Sequence, residues 1–353
     1  MATRTFAPNP GALEMLLHAP PDLAAGAPLV VALHGCTQSA AAFAEEGGWL
    51  TLADQLGFAV LAPQQSSANN PNRCFNWFEA RDMRRGDGEP ASIAAMIAEA
   101  IATHDLDPRR IYIMGLSAGG AMAAVMLAAY PDLFAGGAIV AGLPYGVARG
   151  APQAFQAMKG RAMTTPAQLA ALIADAGGGS RHFPPLSVWH GDADSIVHVG
   201  NATDIARQWA AVQGLASDPD SSEVVEGRHR SVWRAPDGLV KIEVNRVPGL
   251  GHGVPLETGG EAGLGRTAPF MLEAGVSATL EIARFWELPG AAARRRPVSV
   301  AAEPSVPPAV QGGTAPAGAL HDVGAQVMSA VSSVSADAQK VIAEALRRGG
   351  LLK

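Results

Sequence analysis

The sequence lacks any uninterrupted apolar run approaching the roughly 18 residues of a membrane helix, so no spanning segment is expected. Its first residues, MATRTFAPNPGALEM, offer neither an apolar h-region nor a cleavage site, which predicts a cytoplasmic start. An excess of basic charge is missing too. With a net charge of −6 and a pI near 5.8, the chain has no cationic footprint for a nucleic-acid backbone, and no acidic run forms a solvating tail. Cysteine is scarce: Cys36 and Cys74 are too few for a disulfide scaffold and lack zinc-site spacing. Two buried thiols or one bridge remain as alternatives. There is no internal repeat.

Apolar residues are plentiful, at 48% of 353, enough for a sizeable core. From about residue 13 to 288, short β-type runs alternate with helical ones, the pattern of an α/β fold with a mostly parallel central sheet flanked by helices. Strands are expected at 29–35, 58–64, 111–117, 134–142, 185–191 and 240–249, several apolar enough to be buried on both faces. Helices are expected at 40–56, 92–104, 118–130, 202–212 and 277–288. Residues 143–184 have no central strand and read as a small cap insertion, partly helical around 166–176. The catalytic-size domain is thus 1–288. A Pro/Ala/Gly-rich linker follows at 289–320, then an amphipathic helix at 321–353, docked back on the domain or serving as a surface attachment.

The stretch IYIMGLSAGG (111–120) places Ser117 between a buried strand and a helix, flanked by Gly115 and Gly119. That is the setting of a nucleophile elbow, although the same geometry suits a helix-capping serine. A serine nucleophile needs a base, and the base needs an orienting acid. PLSVWHGDADSIV supplies Asp192 and Asp194 after one strand, and VPGLGHGVP supplies His252 after the next. Asp194 is preferred over Asp192 because HGDADSIV follows His-Gly-x-x-Asp-x-x-Val, where the apolar residue three on anchors the loop.

His34, His190, His198 and His229 compete for the role of base, but none joins a strand end after the acid to flanking glycines as His252 does. The order Ser117, Asp194, His252 is that of an α/β-hydrolase. An oxyanion needs donors, for which the backbone N–H groups of Ala118 and Cys36 are the candidates. His190, Asp192, Asp194 and His198 also admit a metal-ligand reading, but no HExxH-type companion accompanies them, so no metal is assigned.

Together, HGCTQSAAAFAEEGGW (34–49), CFNWF (74–78), GLSAGGAM (115–122), YPDLFAGGAIVAGLPYG (130–146) and HGDADSIV (190–197) resemble the esterase and polyhydroxybutyrate (PHB) depolymerase family, which is similar to feruloyl and acetylxylan esterases. The resemblance implies an α/β-hydrolase fold and hydrolysis of carboxylic esters without a cofactor, through an acyl-enzyme on Ser117. The implied substrates are 3-hydroxybutyrate oligomers or polymer. Feruloyl or acetyl esters of plant polysaccharide are the alternative. It also implies that Cys36 and Cys74 are joined and that Trp77 lines the acyl site, where an ordinary core or rim aromatic is the other reading. Many members are secreted, so secretion is the alternative to the cytoplasm. A different class of function is a polymer- or granule-associated binding protein with a secondary hydrolase core.

Overall fold

Strands whose side chains are apolar on both faces must be covered on both faces. A computed structural model describes residues 1–160, 165–180, 182–259 and 263–293 and shows this arrangement. Most of the expected linker and all of the expected helix at 321–353 lie outside the described residues.

The strands are β1 (Ala2–Arg4), β2 (Glu14–His18), β3 (Leu29–Leu33), β4 (Ala59–Gln64), β5 (Ile111–Leu116), β6 (Gly136–Val140), β7 (Leu186–Gly191), β8 (Ser221–Val225), β9 (Arg228–Arg234) and β10 (Val240–Val247). They form one sheet in the order β1-β2-β4-β3-β5-β6-β7-β10-β9-β8. The six expected strands are its parallel centre, from β4 to β10. The four that the sequence reading missed are antiparallel edges. A separate parallel pair joins β11 (Val254–Leu256) to β12 (Met271–Glu273).

The helices are α1 (Ala40–Glu46), α2 (Trp49–Leu56), α3 (Gly88–His104), α4 (Ala118–Ala129), α5 (Ala151–Met158), α6 (Pro166–Ala176), α7 (Gly200–Val212) and α8 (Ala278–Phe285). Side chains of α3, α4 and α7 share one buried cluster, and those of α1, α2 and α8 share the cluster on the other face. The single helix expected at 40–56 is two. Gly48 between them adopts φ 81°, and a Cβ there would press against Leu264 and Gly265 of the loop crossing it. Within the expected cap, α6 packs on α4 and α7 with Ile173 buried. Of the two helices in this segment, α5 borders the cavity described next, as does Leu143 at the start of the segment.

Candidate active site

Ser117 occupies the single residue between β5 and α4, at φ 57° and ψ −117°. A non-glycine residue in such a conformation stores strain that the surroundings must enforce. They do so through close packing. A Cβ on Gly115 would collide with the Gly119 carbonyl, and one on Gly119 with the Leu33 carbonyl, so the turn closes only because both are glycine. The Ser117 side chain makes no helix-capping hydrogen bond, which corrects the capping alternative, and the residue borders a cavity of about 510 Å³.

The neighbouring parallel strands β7 and β10 deliver their C-terminal loops to the same place. Gly191 lets those loops touch, since a Cβ there would strike the Leu250 carbonyl. The result joins residues 58 positions apart: His252 Nδ1 lies 2.6 Å from Asp194 Oδ2. The other carboxylate oxygen, Oδ1, accepts the backbone N–H groups of Ile196 (2.8 Å) and Val197 (2.9 Å). Burial by itself would raise this carboxyl. Hydrogen bonds from His190 and His252 outweigh it and hold Asp194 well below the usual carboxylate range. Asp192 is exposed and accepts the Gly249 N–H at 2.6 Å instead.

Among the residues bordering the cavity, His252 is the only histidine. The ring of His198 accepts the Gly200 N–H, and His229 sits exposed on β9. Of the four residues of the metal-ligand reading, Asp192 and His198 therefore have partners outside that set. His34 is buried; its Nδ1 lies 2.7 Å from the Gly35 carbonyl and its Nε2 accepts the Gln65 N–H at 3.1 Å. It braces the loop after β3.

His190 is a contact that sequence reasoning missed. Its Nε2 meets the Val197 carbonyl at 2.8 Å, as a strand-end histidine should, and also lies 3.2 Å from Asp194 Oδ2. Two oxygens face that nitrogen, so it carries the proton and adds a second imidazole donor to the carboxylate.

Gly35, Cys36 and Ala118 border the cavity beside Ser117. Ala118 is the first residue of α4, where a backbone N–H has no intrahelical partner. Cys36 and Cys74 form a disulfide across 38 residues, which ties the loop after β3 to the loop carrying Trp77. Thr37 N–H reinforces the tie by donating to the Asn72 carbonyl at 2.7 Å. Trp77 is 5% exposed, stands edge-on to Phe78 and lines the cavity.

The Trp77 loop rests on a polar cluster that the sequence did not announce. Glu89, fully buried in the first turn of α3, accepts Gln65 Nε2 (2.6 Å), Asn76 Nδ2 (2.7 Å), Asn69 Nδ2 (3.2 Å) and the Asn76 N–H (2.8 Å). Burial and the adjacent Asp82 push its carboxyl up to about 8, against the donors of Asn76 and Gln65. Burial drives His34 the other way, to about 4.

The two groups tilt stability in opposite directions. His34 makes the folded state gain stability as pH rises from about 4 to the ordinary 6.5, whereas Glu89 makes it lose stability from the ordinary 4.5 to about 8. Between those upper limits only Glu89 acts. Urea unfolding at pH 6.5 and 8 is expected to show a loss on the order of 1 to 2 kcal/mol, absent in Glu89→Gln. Parallel losses in both proteins would assign the slope to other groups.

The family model described as Esterase PHB depolymerase matches residues 13–231. Poly(3-hydroxyalkanoate) depolymerase C of Paucimonas lemoignei is 41% identical over 290 residues, which covers 81% of this chain and 69% of that protein. Feruloyl esterase B of Talaromyces stipitatus is 31% identical over 261 residues, covering 71% of each. Among solved structures, the acetyl xylan esterase from Aspergillus awamori superposes with a TM-score of 0.63 at 26% identity, over 69% of this chain and 90% of that one.

Proposed function

The chain belongs to the Esterase PHB depolymerase family and is a serine esterase of the α/β-hydrolase fold, and from that premise we propose that it acts by acyl transfer through Ser117, His252 and Asp194. The observation that carries the reading is the 2.6 Å contact between Asp194 and His252 beside a strained serine whose hydroxyl caps nothing.

In the proposed cycle Ser117 Oγ attacks the ester carbonyl while His252 Nε2 takes its proton. Asp194 holds Nδ1–H, fixes the tautomer and offsets the imidazolium charge. The N–H groups of Cys36 and Ala118 receive the developing oxyanion, where one lost donor typically costs about 100- to 1000-fold. Collapse breaks the C–O bond, and the proton on His252 leaves with the alcohol. Water then attacks the acyl-serine with His252 as base, and the acid departs as Ser117 regains its proton.

The substrates we propose are 3-hydroxyalkanoate esters, oligomer or polymer. The Paucimonas lemoignei relative supports this, and the 510 Å³ cavity has room for a short acyl chain with its alcohol portion. The feruloyl and acetylxylan relatives support a second reading, an ester of plant polysaccharide. Granule attachment rests on residues 321–353, outside the described residues. The Cys36–Cys74 bridge supports an oxidising compartment, which favours secretion over the cytoplasm.

Side-by-side assay of a soluble 3-hydroxybutyrate trimer and methyl ferulate tests the substrate class. The trimer is expected to be preferred by roughly tenfold or more in kcat/KM. Preference for ferulate would move the enzyme to the second reading.

A further inference from the structure

Helix α5 borders the cavity and is pinned at both ends. At its start the Gly150 N–H donates to the Phe78 carbonyl at 2.8 Å, on the loop tied by the disulfide. At its end His198 N–H donates to the Met158 carbonyl at 2.8 Å and Asn201 Nδ2 to the Ala157 carbonyl at 3.1 Å, both from the chain that follows Asp194. Lys159 Nζ adds a bond to the Ser195 carbonyl at 3.1 Å. Ala154 and Ala157 face inward and are buried.

Phe155 does not follow them. It is 66% exposed, yet it borders the cavity, and so does Ile196, 38% exposed and two residues beyond Asp194. Only four large apolar side chains are this exposed among the described residues, and two of them stand at this one opening. The others, Val224 and Leu239, belong to β8 and to the turn before β10. The opening also has a polar side, with Thr37, Gln38 and Asn72 from the disulfide-joined loops.

An apolar side chain left in water gains when a ligand covers it, and one fixed beforehand loses little freedom in doing so. We propose that Phe155 and Ile196 form a subsite for the chain unit next to the one being cleaved, making the enzyme selective for esters longer than one unit. A polyester of short hydroxy acids suits such an opening: its alkyl edges would lie on Phe155 and Ile196 while its ester oxygens turn toward the polar side. The inference rests on the hydroxyalkanoate reading and deepens it.

The experiment compares kcat/KM on methyl 3-hydroxybutyrate and on the soluble trimer for the wild type, Phe155→Ala, Phe155→Leu and Ile196→Ala. The trimer-to-monomer ratio is expected to fall roughly tenfold in Phe155→Ala, less in Ile196→Ala, and to be largely restored in Phe155→Leu. An unchanged ratio in both alanine variants, or equal losses on the two substrates, overturns the subsite. Because both side chains are exposed, the variants are expected to fold like the parent. A wild type that cleaves neither hydroxybutyrate ester has failed the substrate reading instead. The same ratio, read on p-nitrophenyl octanoate against acetate, then decides the subsite on its own.

Discussion

Ser117→Ala is expected to lower ester turnover by about 10⁴- to 10⁶-fold while leaving the melting temperature nearly unchanged. Both halves follow from the turn between β5 and α4. The hydroxyl takes no part in capping α4, so removing it strands no backbone group. Were it a cap, alanine would cost about 1 kcal/mol. The strain at φ 57° is a property of the backbone, and alanine bears it as serine does. Active-site titration with a fluorogenic ester and a thermal melt separate the two effects. Turnover kept above roughly a hundredth of the parent rate would remove Ser117 from the chemistry.

Asp194→Asn is expected to cost about 10⁴-fold in kcat, more than an ordinary lost hydrogen bond explains. The reason is orientation. Ile196 and Val197 present their N–H groups to Oδ1, so the new amide must put its oxygen there and its NH2 where Oδ2 was. That NH2 then confronts His252 Nδ1, which can meet it only as an acceptor. The imidazole proton is forced onto Nε2, the atom that must be bare to take the proton from Ser117. Single-turnover acylation measures the loss. Asp192→Asn is the internal control: it keeps an oxygen for the Gly249 N–H and is expected to stay within about twofold. A larger effect at 192 than at 194 would reverse the assignment of the acid.

The parallel centre of the sheet was legible because burial on both faces leaves a near-continuous apolar run, as in LVVAL, all five residues of which are buried. The edges were not. Three-residue β1 is exposed throughout, and β8 is exposed over most of its length; their pairing comes from partners elsewhere in the chain rather than from local pattern. The same limit applies around the site. The choice of Asp194 over Asp192 could be read from Val197, whose buried side chain and N–H both hold the acid loop. Glu89 could not be read. Between Gly88 and Pro90 at a helix start it looks like a surface carboxylate favoured by the helix dipole, and its partners lie 13 to 24 positions away. His190 was legible as one of the competing histidines but not as a donor to Asp194, because the Val197 carbonyl and the carboxylate share its one nitrogen.

The β8–β9 hairpin lies between Asp194 and His252 along the chain and at the far edge of the sheet in space, while β7 and β10, whose following loops hold the two residues, are direct neighbours. Evolution can therefore lengthen, shorten or replace that excursion without moving acid from base. Among descendants of such an ancestor the order of the three residues would persist while the interval between the last two drifts. A search for relatives keyed to a fixed interval would lose them; one keyed to order and to the strand ends would not.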